Sequence, residues 1–224
     1  MRYKKVLRAT FLSRPNRFIA RCLVSGEEVT CHVKNTGRCR ELLVPGATVI
    51  LSDERDNKMR KTPFDLVAVY KGARLVNMDS QAPNKVAEEL LCRLRPKAEI
   101  RREVTYGDSR IDLALTEGDS TTFVEVKGVT LEEDGVVRFP DAPTERGIKH
   151  LRELERAVSE GYGAAVLFIV QMKGVKYFEA NAATHLQFAE ALRSASEKGV
   201  KILAYDCVVE EDALCAADPV PVRV

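Results

Sequence analysis

The sequence predicts an α/β protein in two parts, a small β-barrel followed by a mixed sheet flanked by helices. Up to about residue 82, short apolar runs alternate with turn signals, and no helical pattern stands out. Beyond that point, amphipathic helical patterns alternate with strand-like runs. The charge also changes sign. Residues 1–85 carry 17 Lys/Arg and 8 Asp/Glu, a net charge of +9, whereas residues 86–224 carry a net charge of −7. We therefore expect one domain at residues 1–82 and a second at residues 83–224.

Short strands separated by turns account for the first domain. Ser25–Glu28 is typical of a hairpin turn, and Val44-Pro45-Gly46 breaks the chain before the fourth strand. Five or six short strands with no helix favour a small closed barrel, as in OB-folds. The candidate strands are Lys5–Leu12, Phe18–Val24, Val29–Val33, Thr48–Ser52, Phe64–Tyr70 and Arg74–Asn77.

The second domain begins with a helix that stops at Pro96. The order α-β-β-β-α-β-β-α-β then predicts a mixed sheet with helices on its faces. We expect a loop around Gly135 and Pro140, Thr144 as a helix N-cap, and a loosely held tail after Asp206. The predicted elements after the first helix are Ile100–Tyr106, Arg110–Leu115, Thr122–Val129, helix Thr144–Glu160, Ala164–Gln171, Val175–Glu179, helix Thr184–Lys198 and Val200–Tyr205.

Composition excludes several classes of protein. The 224 residues are 45% hydrophobic and carry little net charge, which disfavours a disordered chain. The longest mostly apolar run, Gly163–Val170, is far shorter than the ~20 residues that cross a bilayer. The first residues lack the apolar stretch of a signal peptide, so we expect a cytoplasmic protein. The basic first domain favours nucleic acid as the partner, because surface Lys and Arg release counterions from phosphates.

Asp112, Glu125 and Lys127 form the main candidate catalytic set. Both acids lie inside apolar strands, where a carboxylate is costly unless it is paired or binds a metal. Glu125 and Lys127 are two residues apart, so both project from one face of a strand. Two carboxylates suit Mg²⁺ or Mn²⁺, and a nearby lysine suits metal-assisted phosphodiester hydrolysis. The alternative is a buried salt bridge between Lys127 and one acid, with no metal.

Longer motifs resemble a known family. Arg110–Asp112 followed by Glu125-Val-Lys127 is similar to the PD-(D/E)XK nuclease signature, and the chain from about Lys5 to Tyr205 resembles the sugar fermentation stimulation protein A family. The stretches that carry the resemblance are His32–Arg38, Asn77–Asn84, Arg101–Val104, Ser109–Asp112, Val124–Val129 and Phe139–Glu153.

The resemblance implies an OB-like domain and a restriction-endonuclease-like domain in a DNA-binding protein. It implies Asp112 and Glu125 as metal ligands and Lys127 as the catalytic lysine. Related nucleases add an acid from the first helix, which predicts Glu89, or Glu88 in its place, as a third ligand. Ile148 stands where many relatives carry Gln. Lys149 and His150 remain as polar candidates on that helix, for contact with nucleic acid.

Other candidate nucleic-acid contacts lie in both domains. Gly37 allows a close backbone approach, and the polar side chains around it suit phosphate or base contacts, although a simple β-turn is the alternative. Further arginines, among them Arg14 and Arg21, are candidates for tracking a phosphate backbone. Phe11, Phe18 and Phe64 are candidates for base stacking or for the barrel core. The main candidates are Arg17, Asn35, Thr36, Arg38, Arg101, Arg102, Lys149 and His150.

Two functions follow from these patterns. The first is a DNA-binding, Mg²⁺- or Mn²⁺-dependent nuclease. The second is a non-enzymatic DNA-binding regulator of sugar-metabolism genes that keeps the nuclease fold as a scaffold. An RNA-processing role shares the electrostatics. We expect DNA as the partner, with single-stranded and double-stranded DNA both left as alternatives. We expect no membrane association, and a homodimer is left as an alternative to a monomer.

Overall fold

The computed structural model describes residues 1–35, 37–57 and 59–224 of the chain. It contains three sheets and three helices within those residues. The order of elements follows the mixed α/β pattern expected from the sequence, with a barrel first and a helix-flanked sheet second.

The first sheet closes into a barrel. Its strand order is β3-β2-β1-β4-β5-β6, and β3 also pairs with β5 in parallel, which joins the two ends of the five-stranded part. The predicted OB-like barrel is thereby confirmed. The strands are β1 (Val6–Asn16), β2 (Ile19–Val24), β3 (Glu27–Val33), β4 (Thr48–Asp53), β5 (Phe64–Lys71) and β6 (Arg74–Asn77).

Strand β5 shows why the barrel strands read as apolar runs. Leu66 and Val69 belong to the barrel core, whereas Val67 and Ala68 belong to a smaller cluster outside it, which Tyr3 helps to cover. A strand that is buried on both faces loses the alternation of a half-exposed strand. All four apolar residues are at most 1% exposed.

The second sheet carries the candidate catalytic residues. Its order is β15-β14-β12-β9-β8-β7, with β9, β12 and β14 parallel to one another. The strands are β7 (Glu99–Tyr106), β8 (Ser109–Glu117), β9 (Ser120–Val129), β12 (Gly163–Val170), β14 (Lys201–Val209) and β15 (Leu214–Pro219).

A third, four-stranded sheet was not expected. Its order is β10-β11-β13-β16, and it incorporates the region around Gly135 that the sequence predicted as a loop. The tail after Asp206 is also ordered into strands, so the expectation of a loose tail is wrong. The tail forms β15 and β16 because β15 pairs with β14 and β16 pairs with β13. The additional strands are β10 (Leu131–Glu133), β11 (Val136–Phe139), β13 (Tyr177–Ala180) and β16 (Val222–Arg223).

Three helices cover the second sheet. Helix α1 (Ala82–Leu94) packs on one face, whereas α2 (Glu145–Ser159) and α3 (Leu186–Glu197) lie on the other. Thr144 caps α2 as predicted, because its hydroxyl accepts a hydrogen bond from the Gly147 amide at 3.1 Å. No helix in the described residues is both long and apolar enough to cross a membrane.

The barrel and the second sheet share polar and apolar contacts. The Asn77 amide donates to the Gln171 carbonyl at 2.9 Å, and the Gln171 side-chain amide donates to Asn77 Oδ1 at 2.8 Å. One apolar cluster also runs from the barrel core, which contains Phe11, to the α2 face of the second sheet, which contains Phe168. The end of β6, where the chain leaves the barrel, therefore lies next to the ends of β9 and β12. The domain boundary after residue 82 stays a prediction.

Candidate metal centre and nucleic-acid interface

The candidate catalytic residues lie where β8 and β9 separate. The pairing of these strands runs from Glu117–Ser120 to Leu113–Val124 and stops there. Beyond it, the backbone amide of Val126 donates instead to Asp112 Oδ2 at 2.8 Å. The side chain of Asn84, from the first turns of α1, donates to Asp112 Oδ1 at 2.9 Å. Asp112 is therefore oriented by a strand on one side and a helix on the other.

Glu125 lies next to Asp112 and is 2% exposed. Its Oε1 atom accepts hydrogen bonds from Lys127 Nζ and from His150 Nδ1. Its Oε2 atom is buried and has no hydrogen-bond partner within the described part of the chain. A buried carboxylate oxygen without a partner is unusual, because desolvation of a polar atom that makes no hydrogen bond costs free energy. A cation that reached that oxygen would supply the partner that the described residues do not.

The surroundings separate the pKa values of the two carboxyl groups. Burial, together with the neighbouring charge of Glu125, raises the pKa of Asp112. Burial also opposes ionisation of Glu125, but the hydrogen bond from His150 and the charge of Lys127 hold the pKa of Glu125 below its ordinary value. Mutual repulsion between two neighbouring carboxylates, one buried and one half-buried, is relieved by a cation between them. The pair is therefore suited electrostatically to a divalent ion.

Two carboxylates, one of which has an unpartnered oxygen, fit a hard cation such as Mg²⁺, which binds through one or two protein carboxylates and keeps several waters. A third acid does not join them. Within residues 1–35, 37–57 and 59–224, no three His, Cys, Asp or Glu side chains converge as a metal-binding group. Glu89, the expected third ligand, instead pairs with the α-ammonium group of Met1, at 2.7 Å from its nitrogen to Glu89 Oε2. Glu88 pairs with Arg102. Asn84 is the α1 residue that contacts Asp112, which the sequence did not indicate.

His150 has a different position from the one expected. The sequence suggested contact with nucleic acid, but the ring is only 5% exposed and lies against Glu125. Arg146 Nε donates to His150 Nε2 at 3.3 Å, so Nε2 accepts and Nδ1 carries the proton toward Glu125. Ile148, at the position where Gln was expected, is buried in the core. His150 is thus the α2 residue that orients Glu125.

Three of the candidate nucleic-acid residues surround this centre without lying in it. Lys149 donates to the Asp108 carbonyl at 2.8 Å on the exposed side of α2. Arg101 is exposed on β7, 4.0 Å from Glu99. Arg102 lines an open cleft of about 390 Å³, together with Lys85 and Asp112. Only this last arginine lies beside the candidate metal ligands.

The backbone on the far side of that cleft is unusual. Glu103 lies on β7 between the pairs Arg102–Leu113 and Val104–Ile111 and lines the same cleft as Asp112, and its φ of 54° lies in the left-handed region. For a residue other than Gly such a backbone costs on the order of 1 kcal/mol or more, and it is enriched at functional sites. The irregularity coincides with the separation of β8 from β9.

In the barrel, the predicted interface is a loop held from within. Arg14 donates to the carbonyls of Arg17, Asn35, Gly37 and Arg38 at 2.6–2.9 Å, so Arg14 supports the loop and does not face a ligand. Arg21 likewise pairs with Glu28. Thr36 lies outside the described residues.

The side chains around this loop have different surroundings. Asn35 Oδ1 accepts from the Gly37 amide at 2.8 Å, whereas Arg17 and Arg38 are exposed. Gly37 lies against Asp141 from the loop that precedes α2, and a Cβ atom at this position would collide with the Asp141 carboxylate. The loop therefore brings the barrel into direct contact with the second domain.

Comparison with known proteins agrees with this architecture in both halves of the chain. Residues 12–78 match the family model described as the SfsA N-terminal OB domain. Residues 81–213 match the model described as the sugar fermentation stimulation protein RE domain. The chain belongs to the SfsA family.

Similar SfsA-family proteins match over their whole length. A sugar fermentation stimulation protein homolog of Desulfitobacterium hafniense (strain DSM 10664 / DCB-2) is 55% identical over 226 residues, which covers 100% of this chain and 99% of the relative. A homolog of Clostridium beijerinckii is 50% identical and covers 99% of each chain. The solved structure of Pyrococcus furiosus SfsA in complex with Ca²⁺ has a TM-score of 0.88 at 26% identity, over 100% of this chain and 98% of that one.

Proposed function

We propose that this protein is a divalent-metal-dependent nuclease that acts on DNA. The observation that carries the proposal is the buried Oε2 atom of Glu125, which has no partner in the described residues, beside Asp112 and Lys127. Glu153 on α2 also has a buried oxygen without a hydrogen bond, but that oxygen faces Arg156 in an ion pair, whereas Glu125 lies beside a second carboxylate, that of Asp112. The arrangement is supported by the likeness to an archaeal SfsA whose structure is described as a complex with Ca²⁺, also a hard cation with oxygen ligands.

Asp112 and Glu125 would hold the metal ion. When bound, Mg²⁺ supplies a positive charge for the scissile phosphate and makes water more acidic. The chain's own residues prepare this centre. Asn84 and the Val126 amide fix the Asp112 carboxylate from two sides. His150 fixes Glu125 through Oε1 and thereby leaves Oε2 free.

Lys127 is suited to stabilise charge at the phosphate. It follows Glu125 on the same face of β9, and its side chain is 19% exposed, compared with 3% for Glu125. An ammonium group beside the reacting phosphate offsets the negative charge that develops in the transition state, and it can orient the attacking water. Lys127 therefore contacts the buried Glu125 and also reaches the more open side of the site.

DNA as the substrate is supported by the charge distribution. The net charge of +9 lies in residues 1–85, which form the barrel and the start of α1. The exposed side chains of Arg17 and Arg38 lie on the barrel part that approaches the second domain at Gly37. A basic module beside a phosphodiesterase site raises affinity for a polyanion independently of its sequence.

The test is cleavage of linear and circular DNA with Mg²⁺ or Mn²⁺, compared with EDTA. We expect wild-type protein to cut, and Asp112→Asn and Glu125→Gln to lose more than about a hundredfold in rate, since a metal ligand is removed. Glu132→Gln is the matched control. Glu132 is also buried, but both of its oxygens are bonded, by Gly135, Arg74 and Lys71. We expect it to keep activity.

Calorimetric titration of Mn²⁺ into the same variants, with and without a short DNA, separates metal binding from cleavage. Equal cutting by wild type and Glu125→Gln would identify a contaminant and overturn the proposal. DNA binding without cutting under any metal condition would instead favour the non-enzymatic regulator.

A further inference from the structure

One of the three phenylalanines of the barrel lies outside its core. Phe11 and Phe64 are 2% and 5% exposed and form part of the apolar core, as most small-barrel aromatics do. Phe18 is 43% exposed and lies in the turn between β1 and β2. A single exposed aromatic ring is common on protein surfaces, so the surroundings of Phe18 decide whether the ring can serve a ligand.

The turn that carries Phe18 is held firmly. Asn16 Oδ1 accepts hydrogen bonds from the amides of Phe18 and Ile19, at 2.9 and 3.1 Å. The Phe18 carbonyl accepts from the Val33 amide at 2.7 Å. The backbone on both sides of the ring is thus fixed before any ligand arrives, which lowers the entropic cost of binding to it.

The surroundings of the ring are cationic. The guanidinium carbon of Arg17 lies 4.7 Å from the centroid of the Phe18 ring. Arg17 and the nearby Arg38 are both exposed, and the described parts of the chain show no ion pair between either arginine and an acid. Their charges remain available to an anionic partner. An aromatic face bordered by free arginines matches a nucleotide, which combines a π-face with a phosphate.

The Phe18 turn is connected to the candidate metal centre. Arg14 bonds the Arg17 carbonyl on the turn and the Asn35 carbonyl on the next loop. Asn35 in turn lines a small interdomain cavity of about 100 Å³ whose wall includes Gly128, the residue after Lys127. The Phe18 turn is therefore linked to the end of β9 through Arg14 and Asn35.

We propose that Phe18 stacks against an unpaired base, so that the preferred substrate contains a single-stranded DNA segment. Bases inside a duplex are stacked on their neighbours and present no free face, whereas bases of a single strand do. A protein partner would also cover Phe18, but it would have to neutralise the free arginines around the ring. This inference rests on the proposed function for its substrate class, whereas the binding step requires neither metal nor cleavage.

The absence of Trp from the sequence makes a direct test simple. Phe18→Trp introduces the only indole of the chain on the turn, and base stacking quenches indole fluorescence. We titrate this variant in EDTA with oligo(dT) and with a blunt DNA duplex of equal charge. Strong quenching by oligo(dT) and little by the duplex is expected. Leu23→Trp, at a position 37% exposed on β2 of the same barrel, is the control and should not be quenched.

Affinity gives the second readout. Phe18→Ala should weaken binding of fluorescein-labelled oligo(dT) about 5- to 150-fold, the range for loss of one stacked base. Leu23→Ala should change it less than about twofold. Unchanged affinity in Phe18→Ala, or equal quenching by single strand and duplex, overturns the proposal.

The nuclease assay is read separately. Quenching without any cleavage would support base stacking at Phe18 and contradict the proposed nuclease activity. Cleavage without quenching would support the nuclease activity and contradict base stacking.

Discussion

Two buried acids, one in each domain, have nearly the same exposure to solvent but differ in whether both of their carboxylate oxygens have partners. Asp65 on β5 of the barrel is 0% exposed, and Glu125 on β9 is 2% exposed. Both have basic neighbours. Asp65 accepts from Arg60 through both oxygens, and Lys34 lies 3.0 Å from Oδ2. Glu125 receives both of its partners on one oxygen and leaves the other bare within the described residues.

This difference agrees with a structural role for Asp65 and with the proposed metal-binding role of Glu125. Burial alone does not make the distinction, since both acids are buried, and neither does the presence of a lysine, since both have one. A fully satisfied carboxylate keeps its charge within the fold, whereas an oxygen without a partner gains most when a cation arrives. The contrast can be tested through stability as well as activity.

The largest expected effect is on folding. Asp65→Asn should lower the free energy of unfolding by about 3 kcal/mol, because it removes the charge that two partly buried cations share. Glu125→Gln should cost less, about 1 kcal/mol, since its partners lie on one oxygen that an amide can still provide. Urea denaturation followed by far-ultraviolet circular dichroism measures both. A larger loss in Glu125→Gln than in Asp65→Asn would show that Glu125 is the structural acid.

The next effect concerns the residue that orients Glu125. His150→Ala should reduce the cleavage rate about 10- to 100-fold and raise the Mg²⁺ concentration needed for half-maximal activity, as is typical when a side chain behind a metal ligand is lost. Affinity for DNA in EDTA should not change. His150→Gln, which keeps an N–H donor, should recover part of the rate.

Lys149→Ala is the neighbouring control, because Lys149 lies on the outer side of α2, where the Asp108 carbonyl is its one hydrogen-bond partner among the described residues. We expect less than about a twofold change in rate. If both variants lost the same activity, the effect would belong to helix α2 as a whole and the positioning role of His150 would be refuted.

The sequence indicated the parts of the site that depend on local pattern. Acids within apolar strands are conspicuous, so Asp112, Glu125 and Lys127 were predicted together, and the structure brings them together. The barrel and the flanked sheet were also predicted, because strand and helix periodicities extend over many residues.

The parts that were missed depend on contacts between distant segments. Glu88 and Glu89 are adjacent on α1, and nothing local shows that Met1, 88 residues away in sequence, pairs with Glu89. The depth of His150 depends on how α2 packs against β9, which the spacing of its apolar residues does not specify. Strands β15 and β16 are short and form only because neighbouring strands lie ready to pair with them. Sequence patterns report the periodicity of an element but do not show which distant segments it contacts.

The smallest expected effect is a pH dependence of stability, which distinguishes Asp65, whose oxygens accept hydrogen bonds, from an exposed surface acid. Burial opposes ionisation of Asp65, but its hydrogen bonds from Arg60 and Lys34 hold its pKa below the ordinary value. A carboxyl with a lowered pKa in the folded state contributes stability above its unfolded pKa of about 3.9 and loses it as the pH falls through the folded value. The stability gap between wild type and Asp65→Asn should therefore be constant above about pH 5 and narrow below about pH 4.

Urea midpoints at several pH values between 3 and 7 measure this gap, with the range set by the unfolded pKa of aspartate. Asp56→Asn serves as the control, because the Asp56 side chain is 85% exposed and its pair with Lys5 is a surface one. Exposed pairs contribute little to stability, so its gap should stay near zero at every pH. A gap for Asp65→Asn that widens as the pH falls would mean that burial outweighs Arg60 and Lys34. Asp65 would then resemble Asp112, whose pKa burial raises, and the contrast between the two domains would disappear.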